Sequence, residues 1–334
     1  MKISIVIPAY NAESTIHQAV AQSLAQAKGP MEVEVIVVDD GSGDNTAKVA
    51  ASAGATVIRQ ENAGPAAARN RGWESAAGQV VFFTDADCVP SAGWVENLLD
   101  GFTDNQVGAV AGSYDIANTS SWLARWVHRE IMERHKRMPP FVRAFGSYNV
   151  AIPRYVLEAT GGFDPAYRQA SGEDNDLSYR IIKKGWRIAF RPQAKVAHYH
   201  PERVWKYLLE HYRHGFWRAK LYKDHPDMIR GDDYTRLRDR VEPFLVLGIL
   251  AFALLAGFDI KGSIWPLVLL LGAYTVIHLS WPMSWWLGEG TIGAFPFAAV
   301  TFWRGFARTA GLCSGIFRFG LQLACRSECK DIKD

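Results

Sequence analysis

The sequence predicts an α/β fold, a mostly parallel sheet with helices on both faces, followed by an apolar C-terminal region. Three observations predict it. Short β-branched runs alternate with helix-like segments over the first 90 residues. Acidic residues stand directly after several of those runs. Beyond residue 240 lie two long stretches that are almost free of charge. Strands alternating with helices imply βαβ units, and ligands of such sheets bind beyond the carboxyl ends of the strands.

Each element follows in order. Ile3 to Ile7 form a β-branched run stopped by Pro8. NAESTIHQAVAQSLAQ then reads as a helix, with Asn11 or Ser14 available as its N-cap. Val33 to Asp40 (VEVIVVDD) is a second buried strand, and GSGDNTAKVAASAG a turn and helix. ATVIRQ is the third strand, GPAAARNRGWESAAG a helix ended by Gly78, and QVVFFTDAD the fourth strand. Pro8-Ala9-Tyr10, Asp39-Asp40 and Asp85-Ala86-Asp87 each follow a strand, so all three are expected on one rim. Carboxylates gathered there repel one another unless a cation or hydrogen-bond donors offset them. A hard divalent ion, Mg2+ or Mn2+, bridging to substrate phosphates would do so. The plainer alternative is that the aspartates form turns. It has most force for Asp40, because DDGSGDN is good turn chemistry, and least for the pair Asp85 and Asp87.

Charge is unevenly spread. The net charge is +3, yet residues 1–120 hold 6 Lys and Arg against 14 Asp and Glu, and the remainder holds 31 against 20. An acidic front and a basic, aromatic rear suggest two jobs, the second of which could face phosphates or an anionic membrane surface. Nothing calls for a nucleic-acid partner. The four cysteines (Cys88, Cys313, Cys325, Cys329) form no disulfide framework, and Cys325 and Cys329 lack a zinc-site partner motif. Reduced thiols in a cytosolic setting are expected. MKISIVIPAY enters a strand directly, with no signal peptide expected.

IVIPAYNAESTI, VIVVDDGSGDNT, NAGPAAARNRG, VVFFTDADCVP and GEDNDLSYRIIKKGWRI occur in that order over roughly residues 1–200. Together they resemble glycosyltransferase family 2, of the GT-A fold. The resemblance implies a metal-dependent enzyme taking a nucleotide-diphosphate sugar as donor. Pro8, Ala9, Tyr10 and Glu13 would line the base pocket, and Asp39 and Asp40 would bind base or ribose. Arg69 would approach the diphosphate. Asp85, Ala86 and Asp87 match the family's Asp-x-Asp metal motif. The absence of G-x-G-x-x-G after the first strand weighs against a dinucleotide-binding Rossmann enzyme.

FGSYNVAIPRYVLEATGGFDPAY has Gly146 and Asn149 before a strand, a short helix and a turn. In the family a similar segment shapes the floor of the donor and acceptor pocket; a loop without chemical role is the alternative. Glu173, Asp174 and Asp176 precede an amphipathic helix bearing Leu177, Ile181 and Ile182. Acidic residues suit a helix N-terminus for its dipole alone, but three in four positions exceed what capping needs. The resemblance makes Asp174 the general base, with Glu173 beside it and Asp176 second. Transfer to a hydroxyl requires a proton removed as the oxygen attacks, and one carboxylate on the far side of the sugar gives single displacement with inversion. In AKVAHYHPER, His198 and His200 alternate on a strand-like stretch and face one side. Either could supply a further metal ligand or a hydrogen bond to the departing phosphate.

The expected organisation is a GT-A domain over 1–200, with a nucleotide-sugar half (1–110) and an acceptor half (111–200). Amphipathic interfacial helices are expected at 201–240 and a membrane region at 241–334. Spans fall near 241–258 and 263–287, since an 18-residue helix reaches about 27 Å. Glu242 at the edge is the first span's one charge. An interfacial or re-entrant segment is expected at 291–320, a third crossing being the alternative. RLRDR just before the first span places the catalytic domain on the cytoplasmic side of a cytoplasmic (inner) membrane, in a multi-pass protein. WLARWVHREIMERHKR and RVWKYLLEHYRHGFWRAK read as helices that support surface attachment, the second through Trp205, Leu208, Leu209, Tyr212 and Phe216. A core-facing helix is the alternative. No Q-x-x-R-W motif is present, which argues against a processive synthase. The expected acceptor is a hydroxyl of a lipid-linked glycan in polysaccharide synthesis, with a polyprenyl phosphate or a diacylglycerol-type lipid as alternatives; a membrane protein that binds a nucleotide-sugar without turnover is the non-catalytic alternative.

Overall fold

Ile3, Ile5, Val6 and Ile7 have no solvent exposure, and this β-branched run forms the strand about which the sheet is built. The structure, a computed structural model, describes residues 1–227, 232–289 and 293–328. It divides into two units. The first comprises Met1–His200 with Asp232–Tyr234, and the second the remainder.

In chain order the first unit contains β1 (Lys2–Ala9), α1 (Ile16–Leu24), β2 (Glu32–Asp39), α2 (Thr46–Ser52), β3 (Thr56–Arg59), α3 (Pro65–Ser75), β4 (Val80–Thr84) and β5 (Cys88–Pro90). There follow α4 (Trp94–Leu99), β6 (Val107–Ile116), α5 (Trp122–His135), β7 (Phe141–Val142), β8 (Asn149–Pro153), α6 (Arg154–Thr160), α7 (Glu173–Lys183) and β9 (Arg187–His198). The sheet order is β3-β2-β1-β4-β8-β6-β9-β5, with β7 against β9. The four strands expected from the alternation are parallel. β8 enters antiparallel between β4 and β6, while β6 and β9 run parallel. Pro8 lies in a central strand, yet β4 pairs with β1 only as far as Val6, so the missing N–H falls where β1 has one neighbour left. Helices cover both faces. α1, α2 and α4 pack on the side of Ile3, Ile5 and Ile7. α3, α6 and α7 pack on the side of Val6, Val81 and Phe83.

Three local expectations are corrected. α1 starts at Ile16 with Thr15 as N-cap, and neither Asn11 nor Ser14 caps it. Asn11 instead has φ 50° and turns the chain, its Oδ1 accepting from Gly43 N at 2.9 Å. α3 ends at Ser75, before Gly78. Gly78 is needed for close approach, because a Cβ there would meet Ser4 N at 2.5 Å. The segment 122–137 is no surface helix: α5 buries Leu123, Ala124 and Val127.

Asn149 has a structural account. Its Nδ2 donates to Ser113 O at 2.8 Å and Ala194 O at 2.9 Å, and its Oδ1 accepts from Trp94 Nε1 at 2.7 Å. One amide thus joins β8, β6, β9 and α4 in the core. Asn149→Ala strands three buried partners, and each unmatched group costs about 1–3 kcal/mol. We expect a loss of about 3 kcal/mol or more in denaturant unfolding; a loss below about 1 kcal/mol would remove this role.

The second unit contains α8 (Val204–Asp224), α9 (Leu237–Gly257), α10 (Ile264–Glu289) and α11 (Ala294–Glu328). α8 packs against α11 through Tyr207, Gly215, Trp217 and Ala219, while Trp205 and Leu209 of the expected aromatic face remain exposed. Among the described residues, Leu237–Gly257 is the one helix long and apolar enough to cross a membrane. A second counts only if Ile264–Ser280 and Pro282–Gly288, bent by 41°, form one span. The second of the two expected stretches is thus bent, with Pro282 at the start of its second piece. Phe244, Leu250, Leu254, Trp265, Leu269 and Val276 are exposed along these helices. Glu242, at the edge of the first apolar stretch, is buried: Arg308 pairs with it and, at 3.2 Å, with Asp239, and His278 Nε2 lies 3.2 Å from its Oε1. The segment expected to be interfacial or re-entrant belongs, from Ala294 onward, to the continuous α11. Thr291, Ile292, Cys329 and the rest of the C-terminal tail lie outside the described residues, as does the side chain of Cys325. Cys88 and Cys313 are free thiols.

Candidate active site

The carboxyl ends of β1, β2 and β4 bring the expected rim together, and the side chains on it divide into those already engaged and those still available. Pro8 and Ala9 are buried at the end of β1, and Tyr10 beyond them is 56% exposed. Glu13 is exposed and accepts from Asn45 N at 3.1 Å and Asn45 Nδ2 at 3.0 Å. Asp39 is buried, accepts from Ser42 N at 2.9 Å and pairs with Arg59 Nε at 2.9 Å. Asp40 is buried and accepts three hydrogen bonds. Gln60 Nε2 at 2.7 Å, Ala63 N at 2.9 Å and Gly64 N at 2.9 Å all donate to it. That geometry is the turn-forming alternative, with Asp40 organising the loop into α3.

Asp85 and Asp87 stand just past β4, with Ala86 buried between them. They face different partners. Asp85 Oδ1 accepts from Arg69 Nη2 at 2.8 Å. Asp87 Oδ2 lies 3.4 Å from His198 Nε2. Burial alone would raise the Asp87 carboxyl, but the adjacent His198, by charge and hydrogen bond, holds it below its ordinary range. His200 sits behind His198 rather than beside the carboxylates, the two Nδ1 atoms being 3.1 Å apart. Burial drives His200 down to about 3.

Arg69 sits on α3, is buried, and lies between two carboxylates. Nη2 donates to Asp85 and Nη1 donates to Glu173 Oε1 at 2.9 Å. Burial opposes its charge, and Asp85 and Glu173 outweigh burial and keep it protonated.

On α7 the three acids, which lie inside the helix's first turn rather than before it, have separate fates. Asp176 Oδ2 accepts from Arg180 Nε at 2.9 Å and Nη2 at 2.6 Å. Glu173 is held by Arg69 and by Ser171 N at 2.7 Å. Asp174 pairs with no basic side chain among the described residues. Its Oδ1 accepts from Asn175 N at 2.8 Å, and burial raises its carboxyl. Burial and the charge of Asp174 raise Glu173 to about 7, against the pull of Arg69. A carboxyl with a raised folded-state pKa favours folding while it keeps its proton. That contribution is whole below about pH 4.5 and lost as pH rises through about 7. Glu173→Gln should therefore lose less stability than the parent between pH about 5 and about 8, read from melting temperatures; an unchanged pH slope would refute the raised value.

Several nearby residues had no assigned place in the site. Tyr114 and Tyr148 stack at 3.7 Å, and burial raises both phenols well above their ordinary range. His128 lies 3.4 Å from His200. Cys88 Sγ falls within 4.8 Å of donor atoms of Asp87 and His198. Cys88 directly follows Asp85-Ala86-Asp87, which was the available signal for it; nothing in the sequence pointed to His128. Burial and the adjacent aspartates push the Cys88 thiol well up, so without an ion the thiol keeps its proton. A carboxylate and an imidazole remain, a donor set that fits a divalent ion of the Mn2+ type and suits Mg2+ less, which prefers oxygen.

Comparison with known proteins places the chain. Residues 4–163 match the family described as glycosyl transferase family 2. The pre-mycofactocin glycosyltransferase of Mycobacterium tuberculosis is 31% identical over 236 residues, covering 67% of this chain and 48% of that protein. The UDP-Glc:alpha-D-GlcNAc-diphosphoundecaprenol beta-1,3-glucosyltransferase WfgD of Escherichia coli is 33% identical over 159 residues, 46% of this chain and 61% of that one. The chain thus spans about half to three fifths of the length of these curated relatives. A mannosyltransferase from Pyrobaculum calidifontis, solved with GDP-Man and Mn2+, superposes with a TM-score of 0.56 at 20% identity. The match covers 95% of this chain and 86% of that one, and it shows a shared fold.

Proposed function

Because the chain belongs to glycosyl transferase family 2, we propose that it transfers a sugar, with inversion, from a nucleotide-diphosphate sugar to a hydroxyl of a lipid-linked acceptor. UDP-sugars are the preferred donors over GDP-sugars, and the product belongs to polysaccharide or glycan synthesis. The observation that carries this reading is the sorting of the acids on α7. Arg180 occupies Asp176 and Arg69 occupies Glu173, which leaves Asp174 to take a proton. Its raised carboxyl suits a base working near neutral pH, and a base is needed for a hydroxyl acceptor more than for an ionised phosphate. The name of WfgD specifies UDP-Glc and a diphosphoundecaprenol-linked acceptor, which supports both classes.

Asp87 and His198 would hold Mn2+ or Mg2+, with Asp85 beside them. When bound, the ion would offset the charge of the leaving diphosphate. Pro8, Ala9, Tyr10 and Asp39 would receive the nucleotide, Tyr10 offering an exposed ring to the base. Arg69 holds Asp85 and Glu173 in place and keeps their combined charge low enough for an anionic donor to enter. The exposed apolar side chains of Leu237–Gly257 support attachment to the cytoplasmic membrane, with the catalytic unit on its cytoplasmic face.

The test is nucleotide release by detergent-purified protein over a panel of UDP- and GDP-sugars, with native membrane lipid and with Mn2+, Mg2+ or EDTA. Lipid-stimulated release of UDP that EDTA abolishes is expected. Release with a bare polyprenyl phosphate but none with glycan-bearing lipid would overturn the hydroxyl acceptor, and EDTA-resistant release would overturn the metal.

A further inference from the structure

We infer that His200 and His128 extend His198 into a directed chain of three imidazoles, which makes them positioning residues for the cation site. The inference rests on the metal reading above and goes beyond it to residues that do not touch the metal. His198 Nε2 faces Asp87 Oδ2 at 3.4 Å. To bind a cation there, that nitrogen must offer its lone pair, so the ring's proton sits on Nδ1. Nδ1 lies 3.1 Å from Nδ1 of His200. Of two nitrogens at that distance one donates and the other accepts. His200 therefore accepts at Nδ1 and carries its proton on Nε2. Its Nε2 is 3.4 Å from Nδ1 of His128, which accepts in turn. One choice at the cation fixes the tautomer of all three rings, in a single direction from the carboxylate to α5.

The middle ring is held independently of that chain. His200 N donates to Asn118 Oδ1 at 3.1 Å and His200 O accepts from Asn118 Nδ2 at 2.7 Å. The ring is buried, 3% exposed, and lies edge-on to Tyr114 with centroids 5.6 Å apart. A fixed acceptor behind His198 holds the ring's rotation and tautomer, as partners behind a ligating histidine generally do.

The test is Mn2+ binding to the full chain, followed by calorimetry with and without UDP, in variants whose melting temperatures are checked. His200→Phe keeps the ring's bulk and removes the acceptor, and should weaken Mn2+ by about 10- to 100-fold. His200→Asn places an amide oxygen near the lost Nδ1 and should stay within about threefold of the parent. His128→Phe, one ring further out, should lose a few-fold, roughly the lower end of such effects. Equal weakening by His200→Phe and His200→Asn would reduce His200 to packing and overturn the chain. No weakening by His200→Phe would overturn it as well. The underlying reading fails separately. If Asp87→Ala bound Mn2+ as tightly as the parent, or the parent bound none, the cation site itself would be lost.

Discussion

Asp174→Asn should lower turnover by about 10²- to 10⁴-fold while donor binding stays within about threefold, the usual reach of a positioned general base. The substitution keeps the shape and the hydrogen bond to Asn175 but cannot take a proton. Neither neighbour is placed to replace it. Glu173 is locked to Arg69 and Asp176 to Arg180. Because burial raises the Asp174 carboxyl, the parent's acidic limb of kcat should lie above the range of an ordinary aspartate, and the variant should lose that limb. Turnover by Asp174→Asn within about tenfold of the parent would exclude it as the base. A large loss for Asp176→Asn, beyond what its melting temperature explains, would move the base two residues along.

Asp87→Ala should reduce kcat/KM by about 10³-fold, equivalent to about 4 kcal/mol of stabilisation of the departing diphosphate. Mn2+ titration should show no saturable activation in the variant. The geometry makes the effect specific to this aspartate. Asp85 spends an oxygen on Arg69, and Asp87 alone of the pair faces His198. Cys88→Ser at the neighbouring position should leave Mn2+ activation intact, because the buried thiol is protonated and adds no charge to the donor set. Parental activity in Asp87→Ala would remove the metal from the reaction.

Much of the first half of the fold was legible. The runs around Ile5, Val37 and Phe82 are short, β-branched or aromatic, and bounded by turn residues, and a parallel central sheet is what such runs need to be buried on both faces. The position of Asp85 and Asp87 past β4 followed from that. The antiparallel insertion of β8 was not legible, because its register depends on β6 and β9, which arrive from distant sequence. Nor were β5 and β7, with three and two residues, long enough to show periodicity. The Asp176–Arg180 pair has the ordinary i, i+4 helix spacing and is readable from the sequence. Arg69 could not be placed, since the carboxylate it meets lies 104 residues further along the chain. The helical period of 122–135 was clear, but period alone does not say what a helix packs against, and the sheet decided that. The apolar hairpin was visible as composition, whereas its bend at Pro282 and the partners of Glu242 depend on neighbouring helices.

The ion pair between Arg69 and Glu173 has a consequence for how this site can change over generations. Losing either member alone leaves a buried charge without its counterpart, at about 3–5 kcal/mol, whereas replacing both by apolar groups of similar volume can be close to neutral. Two positions far apart in the gene are thereby bound into one heritable unit. A lineage can leave this arrangement only by a double step, or through a descendant already stable enough to survive the intermediate. Asp85, which draws on the same guanidinium, is carried along with them.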